Sequence, residues 1–207
     1  PKTTMSSPCR NFAGLLAMQD EIRPDAVEAI SALRTMDIEP ALLTGDHPAA
    51  AQRIASRVGI TSVSAGLLPQ QKEAAIRAAR GNNRVAMVGD GVNDAPALAG
   101  ADIGITVGTG TDVAREASDV NLVGTSLLGV VRSLRLSRSA FRVIRQNLFW
   151  AFAYNVALVP AAAGVFHAVP WAPTVLRDMH PGLAAGAMAL SSLTVVLNSL
   201  RLTRIRL

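Results

Sequence analysis

Two carboxylates four positions apart close an apolar run: Val85-Ala86-Met87-Val88 leads into Gly89, and Asp90 and Asp94 then bracket Gly91, Val92 and Asn93. Carboxylates on opposite sides of one tight loop suit a hard divalent cation. Mg²⁺ takes one or two of them and completes its shell with water and phosphate oxygens. An ordinary strand-loop-helix turn, with Asp94 capping the next helix, stands beside that reading. Thr44-Gly45-Asp46 repeats the pattern after Ala41-Leu42-Leu43. Its hydroxyl and turn amides can donate to phosphoryl oxygens, aided by the positive end of the following helix. Capping by Thr44 or Asp46 is the competing explanation. Lys72 falls near a helix start, where a cation opposes the helix dipole. That placement points to neutralising a phosphate, against the plain alternative of a solvated lysine. Farther on, Tyr154-Asn155 and Met188 with Ser191-Ser192 interrupt apolar surroundings. An amide in hydrocarbon needs a partner, so Asn155 should face another helix or a pathway. Met188 and Ser192 share a helical face. A thioether suits Cu(I), although its companions here are hard oxygens and an amide. The alternative is close packing at Ala184, Ala185 and Gly186, with Met188 filling a gap.

The elements that must position these groups alternate. Phe12–Met18 is a strand candidate, and Pro24 suits the first turn of a helix presenting Val27, Ile30 and Leu33 on one face. A short buried strand at 41–43 precedes a helix from Pro48 to Gly59, with Ile54 and Val58 toward a sheet. A further helix runs from Pro69 through Arg80 and closes at Gly81-Asn82-Asn83. Val85–Val88 is too short and continuous for an amphipathic helix and reads as a buried strand, followed by turn chemistry at Gly89-Asp90-Gly91. A short helix at 94–100, a strand at 103–107, a helix at 111–118 and a strand at 120–123 complete the series. Alternating β and α units with short loops predict an α/β domain, a doubly wound parallel sheet with ligands at the carboxyl ends of its strands.

From residue 126 the pattern changes. Arg132, Arg135, Arg138, Arg142 and Arg145 share a helix with Leu127, Leu128, Val131, Leu134 and Phe141, with no acidic partner among them. Such a basic helix belongs beside a membrane surface or within a complex. Residues 147–169 carry no charge and exceed the roughly 20 needed to cross a bilayer, and 181–200 form a second such run. Half of the 207 residues are hydrophobic and only 17% are charged, below the quarter or so usual in soluble domains. Mean hydropathy is positive at +0.31. The net charge of +5, with 4% aromatics and arginines gathered beside the apolar runs, fits membrane orientation better than nucleic-acid binding. The expected organisation is therefore a partial cytoplasmic domain at 1–125, a basic stalk helix at 126–146, transmembrane helices at 147–169 and 181–200, an external link at 170–180 and a cytoplasmic tail at 201–207. The positive-inside rule places the soluble domain and both termini in the cytoplasm. Cys9, the one cysteine, excludes an internal disulfide and a thiolate cluster within the chain. A start at Pro1 suggests a cut or processed piece.

Taken together, Thr44-Gly45-Asp46, Lys72 and Gly89-Asp90-Gly91-Val92-Asn93-Asp94-Ala95-Pro96 resemble the phosphorylation-domain motifs of P-type ATPases, which share the haloacid-dehalogenase-like fold. Tyr154-Asn155, Met188-Ala189-Leu190-Ser191-Ser192 and Asn198-Ser199-Leu200-Arg201-Leu202 resemble the last two membrane helices of the copper-transporting subgroup. The resemblance covers nearly the whole chain from Phe12. It implies that Asp90 holds Mg²⁺, that Asn93 and Asp94 organise the loop, and that Thr44 hydrogen-bonds a phosphoryl group which Lys72 neutralises. Tyr154, Asn155, Met188 and Ser192 would line a Cu(I) pathway. Zinc-type relatives are expected to carry an acidic residue in the final span, and none is present.

The chain contains no Asp-Lys-Thr-Gly-Thr, no Thr-Gly-Glu and no Cys-Pro-Cys, and no nucleotide-binding domain. ATP is thus expected to be bound mainly elsewhere, and the missing N-terminal half of a pump is the implied partner, beside membrane lipid. The expected function is the C-terminal portion of an ATP-driven copper(I)-exporting pump, inactive alone. Two other readings stay open. One is a stand-alone dehalogenase-like phosphatase, for which Asp20-Glu21-Ile22 is a poor substitute for the needed Asp-x-Asp. The other is a non-catalytic membrane regulator or remnant of such a pump.

Overall fold

The computed structural model describes residues 21–165 and 181–204, apart from 82, 91 and 109–111. In chain order these form α1 (Ala26–Arg34), β1 (Ala41–Leu43), α2 (Pro48–Val58), β2 (Ser62–Ser64), α3 (Pro69–Arg80), β3 (Ala86–Gly89), a 3-10 turn at Val92–Asp94, α4 (Ala95–Gly100), β4 (Ile103–Val107), α5 (Asp112–Glu116), β5 (Val120–Leu122), α6 (Leu128–Ala162), α7 (Pro181–Leu200) and a 3-10 turn at Arg201–Arg204.

Local chemistry sets the boundaries. Pro48 opens α2 where its missing N–H is not needed, and Gly59 closes it in the left-handed region at φ +81°, donating to Ala55 O. Ala51, Ala55 and Val58 of that helix are buried, one stripe at helical spacing. Pro69 opens α3, and the Gln71 side chain accepts from Leu68 N at 2.8 Å. In α1 the buried face is Ala26 and Ala29, while Val27, expected inward, is 54% exposed. The strand at Ser62–Ser64 is absent from the sequence reading because three residues with two serines carry no apolar run. The strand expected at Phe12–Met18 lies outside the described residues.

All strand pairs are parallel, as an alternating chain requires. Among the described residues they form two sheets. Leu42 of β1 stands opposite Val63 of β2, and in the other sheet Val88 of β3 faces Ile105 of β4, whose Thr106 faces Asn121 of β5. Alternation predicts parallel neighbours but not which edges meet, and among the described residues β1 and β3 each keep one edge unpaired. The sheets nevertheless share a core. Leu43 of β1 packs with Val85 and Met87, with Ile76 of α3 and with Ala97 and Leu98 of α4. A second cluster joins Ala26, Ala55, Val58 and Ile60 to Leu42, Val63 and Leu127. A third sets Val130 and Leu134 of α6 on Ile105, Val107, Val120 and Leu122, so the base of α6 rests on the three-stranded sheet. Gly104 lets α4 and the segment after α5 approach β4 closely. A Cβ there would lie 2.8 Å from Leu98 O and 3.3 Å from Ala117 O.

The C-terminal part departs from expectation. The stalk and the first apolar run are one continuous helix, α6, of 35 residues, about 52 Å long at 1.5 Å per residue. Among the described residues no helix is long and apolar enough to cross a membrane. The transmembrane helices expected at 147–169 and 181–200 are therefore not reproduced as such. Arginines occupy the first half of α6 and Tyr154, Asn155 and Pro160 dilute the second, while Ser191, Ser192, Thr194, Asn198 and Ser199 dilute α7. The rest of the first run and its link, 166–180, lie outside the described residues. α6 and α7 are joined by amides: Asn147 Nδ2 donates to Ser199 Oγ at 2.9 Å, and Asn198 Nδ2 to Asn147 Oδ1 at 2.9 Å and Gln146 Oε1 at 3.3 Å.

Candidate phosphoryl and cation site

β1 and β3 end at the same side of the molecule, and the loops beyond them are tied together through α3. Leu67 N donates to Thr44 O at 3.0 Å and Gly66 N to Asp46 O at 2.9 Å. The Thr44–Asp46 loop is thus stitched to the turn that launches α3. Gly45 lets the two backbones approach, since a Cβ there would sit 3.2 Å from Leu67 O. One turn into α3, Lys72 Nζ donates to Asp94 Oδ1 at 2.7 Å, with side chains only 15% and 17% exposed. Lys72 is paired, not solvated, and Asp94 makes no capping hydrogen bond to α4.

Thr44 and Asp46 do not cap α2 either. His47 does, its Nδ1 accepting from Ala49 N at 3.3 Å. The Thr44 hydroxyl instead donates to Asp46 Oδ2 at 2.8 Å and accepts from Asp46 N at 3.1 Å, a closed local turn at the strand end. Gly89 has a packing duty: a Cβ on it would lie 3.0 Å from both Cβ and Oδ2 of Asp94. A larger residue there would push the Asp94 carboxylate outward from the end of β3.

Asp90 follows β3 directly and stands apart from the buried pair, its side chain 66% exposed and 3.5 Å from Arg23 Nη2. Asn93 is exposed in the 3-10 turn between the two aspartates, and Gly91 lies outside the described residues. Thr44, Gly45, Asp46, Lys72, Asp90, Asn93 and Asp94 therefore all belong to the loops and first turns at one end of the two sheets. Arg23 also reaches this end and was not foreseen, because nothing local in Asp20–Pro24 announces a partner 67 positions away.

Among the described residues no group of three or more His, Cys, Asp or Glu side chains could enclose a metal. Two carboxylates at a strand end match the donor set of Mg²⁺, which leaves most of its shell to water and phosphate. A solvent-open depression lined by Arg80, Gly81, Asn83, Arg84 and Asp102 belongs to the opposite end of β3. There Asp102 takes Val85 N at 2.9 Å, with Arg80 at 3.0 Å and Arg84 at 3.4 Å. The hydrogen bond from Val85 N, with help from both guanidinium groups, holds its carboxyl below the usual aspartate range.

Among the described residues no hydrogen bond joins the copper-pathway candidates of α6 to those of α7. Counting equal distances along α6 and α7 from the Asn147–Ser199 contact puts Tyr154 and Asn155 at the height of Ser191 and Ser192. Their polar groups turn to their own helices, however. Asn155 Nδ2 donates to Ala151 O at 2.9 Å and Ser192 Oγ to Met188 O at 3.3 Å. Met188 is 65% exposed, and Tyr154 stacks loosely on Trp150 with ring centroids 6.2 Å apart.

Comparison with known proteins agrees with this geometry. Residues 3–102 match the haloacid dehalogenase-like hydrolase family model. Copper-exporting P-type ATPases of Staphylococcus aureus strains JH9 and Newman are each 47% identical over 198 residues, 95% of this chain but 23% of their own length. The chain thus spans about a quarter of these relatives. Among solved structures, a zinc-transporting PIB-type ATPase in its E2·Pi state superposes with a TM-score of 0.76 at 39% identity, over 89% of this chain and 28% of that one. The catalytic domain of a CPx-ATPase gives 0.50 at 31% identity, over 54% and 44%. The chain thus carries a haloacid-dehalogenase-like α/β domain and is similar, in sequence and in fold, to part of the heavy-metal P-type ATPases.

Proposed function

We propose that the chain is the C-terminal portion of an ATP-driven copper(I)-exporting pump, supplying the Mg²⁺- and phosphate-binding half of its phosphorylation site and part of its metal path. The observation that carries this is the Lys72–Asp94 pair at 2.7 Å, held beside the Thr44 loop by the bonds from Gly66 and Leu67. A cation, a hydroxyl and two carboxylates at one end of two parallel sheets form a set for positioning and neutralising a phosphoryl group. Asp90 and Asp94 would hold Mg²⁺, with Asn93 shaping their loop. Bound there, Mg²⁺ supplies charge neutralisation of the phosphoryl oxygens. Thr44 would donate to one phosphoryl oxygen after exchanging its bond to Asp46, and Lys72 would share its charge between Asp94 and the phosphate.

The edges of β1 and β3 that are unpaired among the described residues fit completion by a parallel strand from the rest of the pump, one bringing the phosphorylated aspartate and, with it, most of the ATP site. Residues 1–125 would then be the partial phosphorylation domain and 126–146 the stalk. Segments 147–169 and 181–200 would be the membrane helices, joined by an external link at 170–180, with 201–207 and the soluble domain cytoplasmic. Support for the membrane placement is the row of exposed apolar side chains on the two helices, among them Phe141, Leu148, Phe152, Val156, Leu193 and Leu197. Tyr154, Asn155, Met188 and Ser192 would line the Cu(I) path. The test is phosphorylation by ATP. The purified chain alone should form no acid-stable phosphoenzyme, and a co-expressed polypeptide bearing the Asp-Lys-Thr-Gly-Thr half should restore it unless Asp90 is replaced by asparagine. Phosphoenzyme on the chain alone overturns the proposal.

A further inference from the structure

The segment leading into α1 touches both the cation-site loop and the base of α6. Arg23 Nη2 lies 3.5 Å from Asp90 Oδ2, and its Nη1 donates to the carbonyl of Thr125, just before α6. Two residues on, Asp25 Oδ2 accepts from Ser126 Oγ at 2.7 Å and from Leu128 N at 3.2 Å. Asp25 makes no side-chain cap on its own helix. It caps α6 from outside, where the unpaired amides and the helix dipole favour a carboxylate. At the other end of α1, Arg138 of α6 donates to Met36 O at 2.8 Å. α1 is therefore fastened to α6 at both ends, and one guanidinium carries the connection on to Asp90.

We propose that Arg23 is a positioning residue that couples cation occupancy at Asp90 to the first turn of α6. This rests on the assignment of Asp90 to the cation site. The Arg23–Asp90 contact is long and the side chains are 37% and 66% exposed, so it is weak enough to be exchanged. A divalent cation and the guanidinium compete for the same carboxylate. When the cation takes Asp90, Arg23 keeps only the Thr125 carbonyl and the first turn of α6 loosens. Linkage makes the effect reciprocal: whatever factor the cation loosens this clasp by, loss of the clasp must tighten cation binding by the same factor. α6 continues to Tyr154 and Asn155, so a change at its base is transmitted along a single rigid element.

The experiment uses the purified chain in detergent micelles, with Mg²⁺ titrated by calorimetry and amide exchange followed at residues 127–130. In the wild type, saturating Mg²⁺ should speed exchange at these amides several-fold. In Arg23→Gln, Mg²⁺ should bind a few-fold more tightly and the exchange should no longer respond to it. Arg23→Lys, whose single ammonium cannot bridge both partners, should behave likewise and guards against misfolding of the first variant. Arg138→Gln should raise exchange with and without Mg²⁺ equally, keeping the response. If Asp90→Asn abolishes Mg²⁺ binding yet both Arg23 variants keep the wild-type response and affinity, the coupling is refuted while the cation site stands. If the wild type binds no Mg²⁺, or Asp90→Asn still binds it, the cation site itself is refuted and the coupling with it.

Discussion

The strength of the Lys72–Asp94 pair can be worked out from its geometry and tested without any ligand. At 2.7 Å, with side chains 15% and 17% exposed, the attraction is about 6 kcal/mol at an effective dielectric near 20. Desolvation of both groups offsets most of it. Deleting one partner strands a largely buried carboxylate, which costs about 3–5 kcal/mol in a fully buried pair, and the residual exposure lowers our expectation for Lys72→Met to about 2–3 kcal/mol. In an Asp94→Asn background the same substitution should cost less than about 1 kcal/mol, a coupling of about 2 kcal/mol, or roughly thirtyfold in the folding constant. The assay is a double-mutant cycle by urea denaturation in mild detergent, followed by circular dichroism. The exposed pair Arg77–Glu73, also 2.7 Å apart but 70% and 29% exposed, serves as the control and should couple by no more than about 0.5 kcal/mol. A Lys72–Asp94 coupling as small as the control's would refute the claim that α3 and the Asp94 loop are held together by this contact.

Gly104→Ala should destabilise the three-stranded sheet by about 2–3 kcal/mol, because its Cβ would meet backbone at 2.8 Å and 3.3 Å. Gly186→Ala, where nothing lies within 4 Å, should stay within about 0.5 kcal/mol, and comparison of the two denaturation midpoints checks this. Asp25 has its pKa lowered, first by the Ser126 hydroxyl and also by the backbone of Leu128, against an opposing effect of burial. A depressed folded pKa means that its stabilisation is present above the unfolded value and disappears as pH falls through the folded one. The stability difference between wild type and Asp25→Ala should therefore be about 1 kcal/mol at pH 7 and shrink below roughly pH 4, as read by urea midpoints across pH.

Short-range signals were the legible ones. Ala41–Leu43, Ile103–Val107 and the helices opened by Pro48 and Pro69 stand where their apolar runs, prolines and glycines put them. Thr44, Lys72, Asp90 and Asp94 were recognisable because each sits at a strand end or helix start. The contacts that decide their chemistry are long-range. Lys72 meets Asp94 across 22 positions and Arg23 meets Thr125 across 102, distances over which composition and periodicity carry no information. His47 went unseen as a cap because imidazole is an uncommon acceptor at that position. Alternation announced the parallel α/β fold but not which strands pair, since edge-to-edge order is a tertiary choice that it does not encode. The apolar runs at 147–169 and 181–200 are helical where they fall within the described residues, among which no helix is long and apolar enough to cross a membrane.

The split between the sheets has a colloidal consequence. Among the described residues each half leaves a row of N–H and C=O groups unpaired on a parallel edge, the arrangement that recruits strands from neighbouring molecules. The defence built into this chain is brevity, because β1 has three residues and β3 four, too few rungs for a lasting ladder with a copy of itself. Lengthening either strand, or raising the protein concentration while those edges stay unpaired, should favour intermolecular β-structure. Purification will therefore be governed as much by such strand edges as by the apolar faces of α6 and α7.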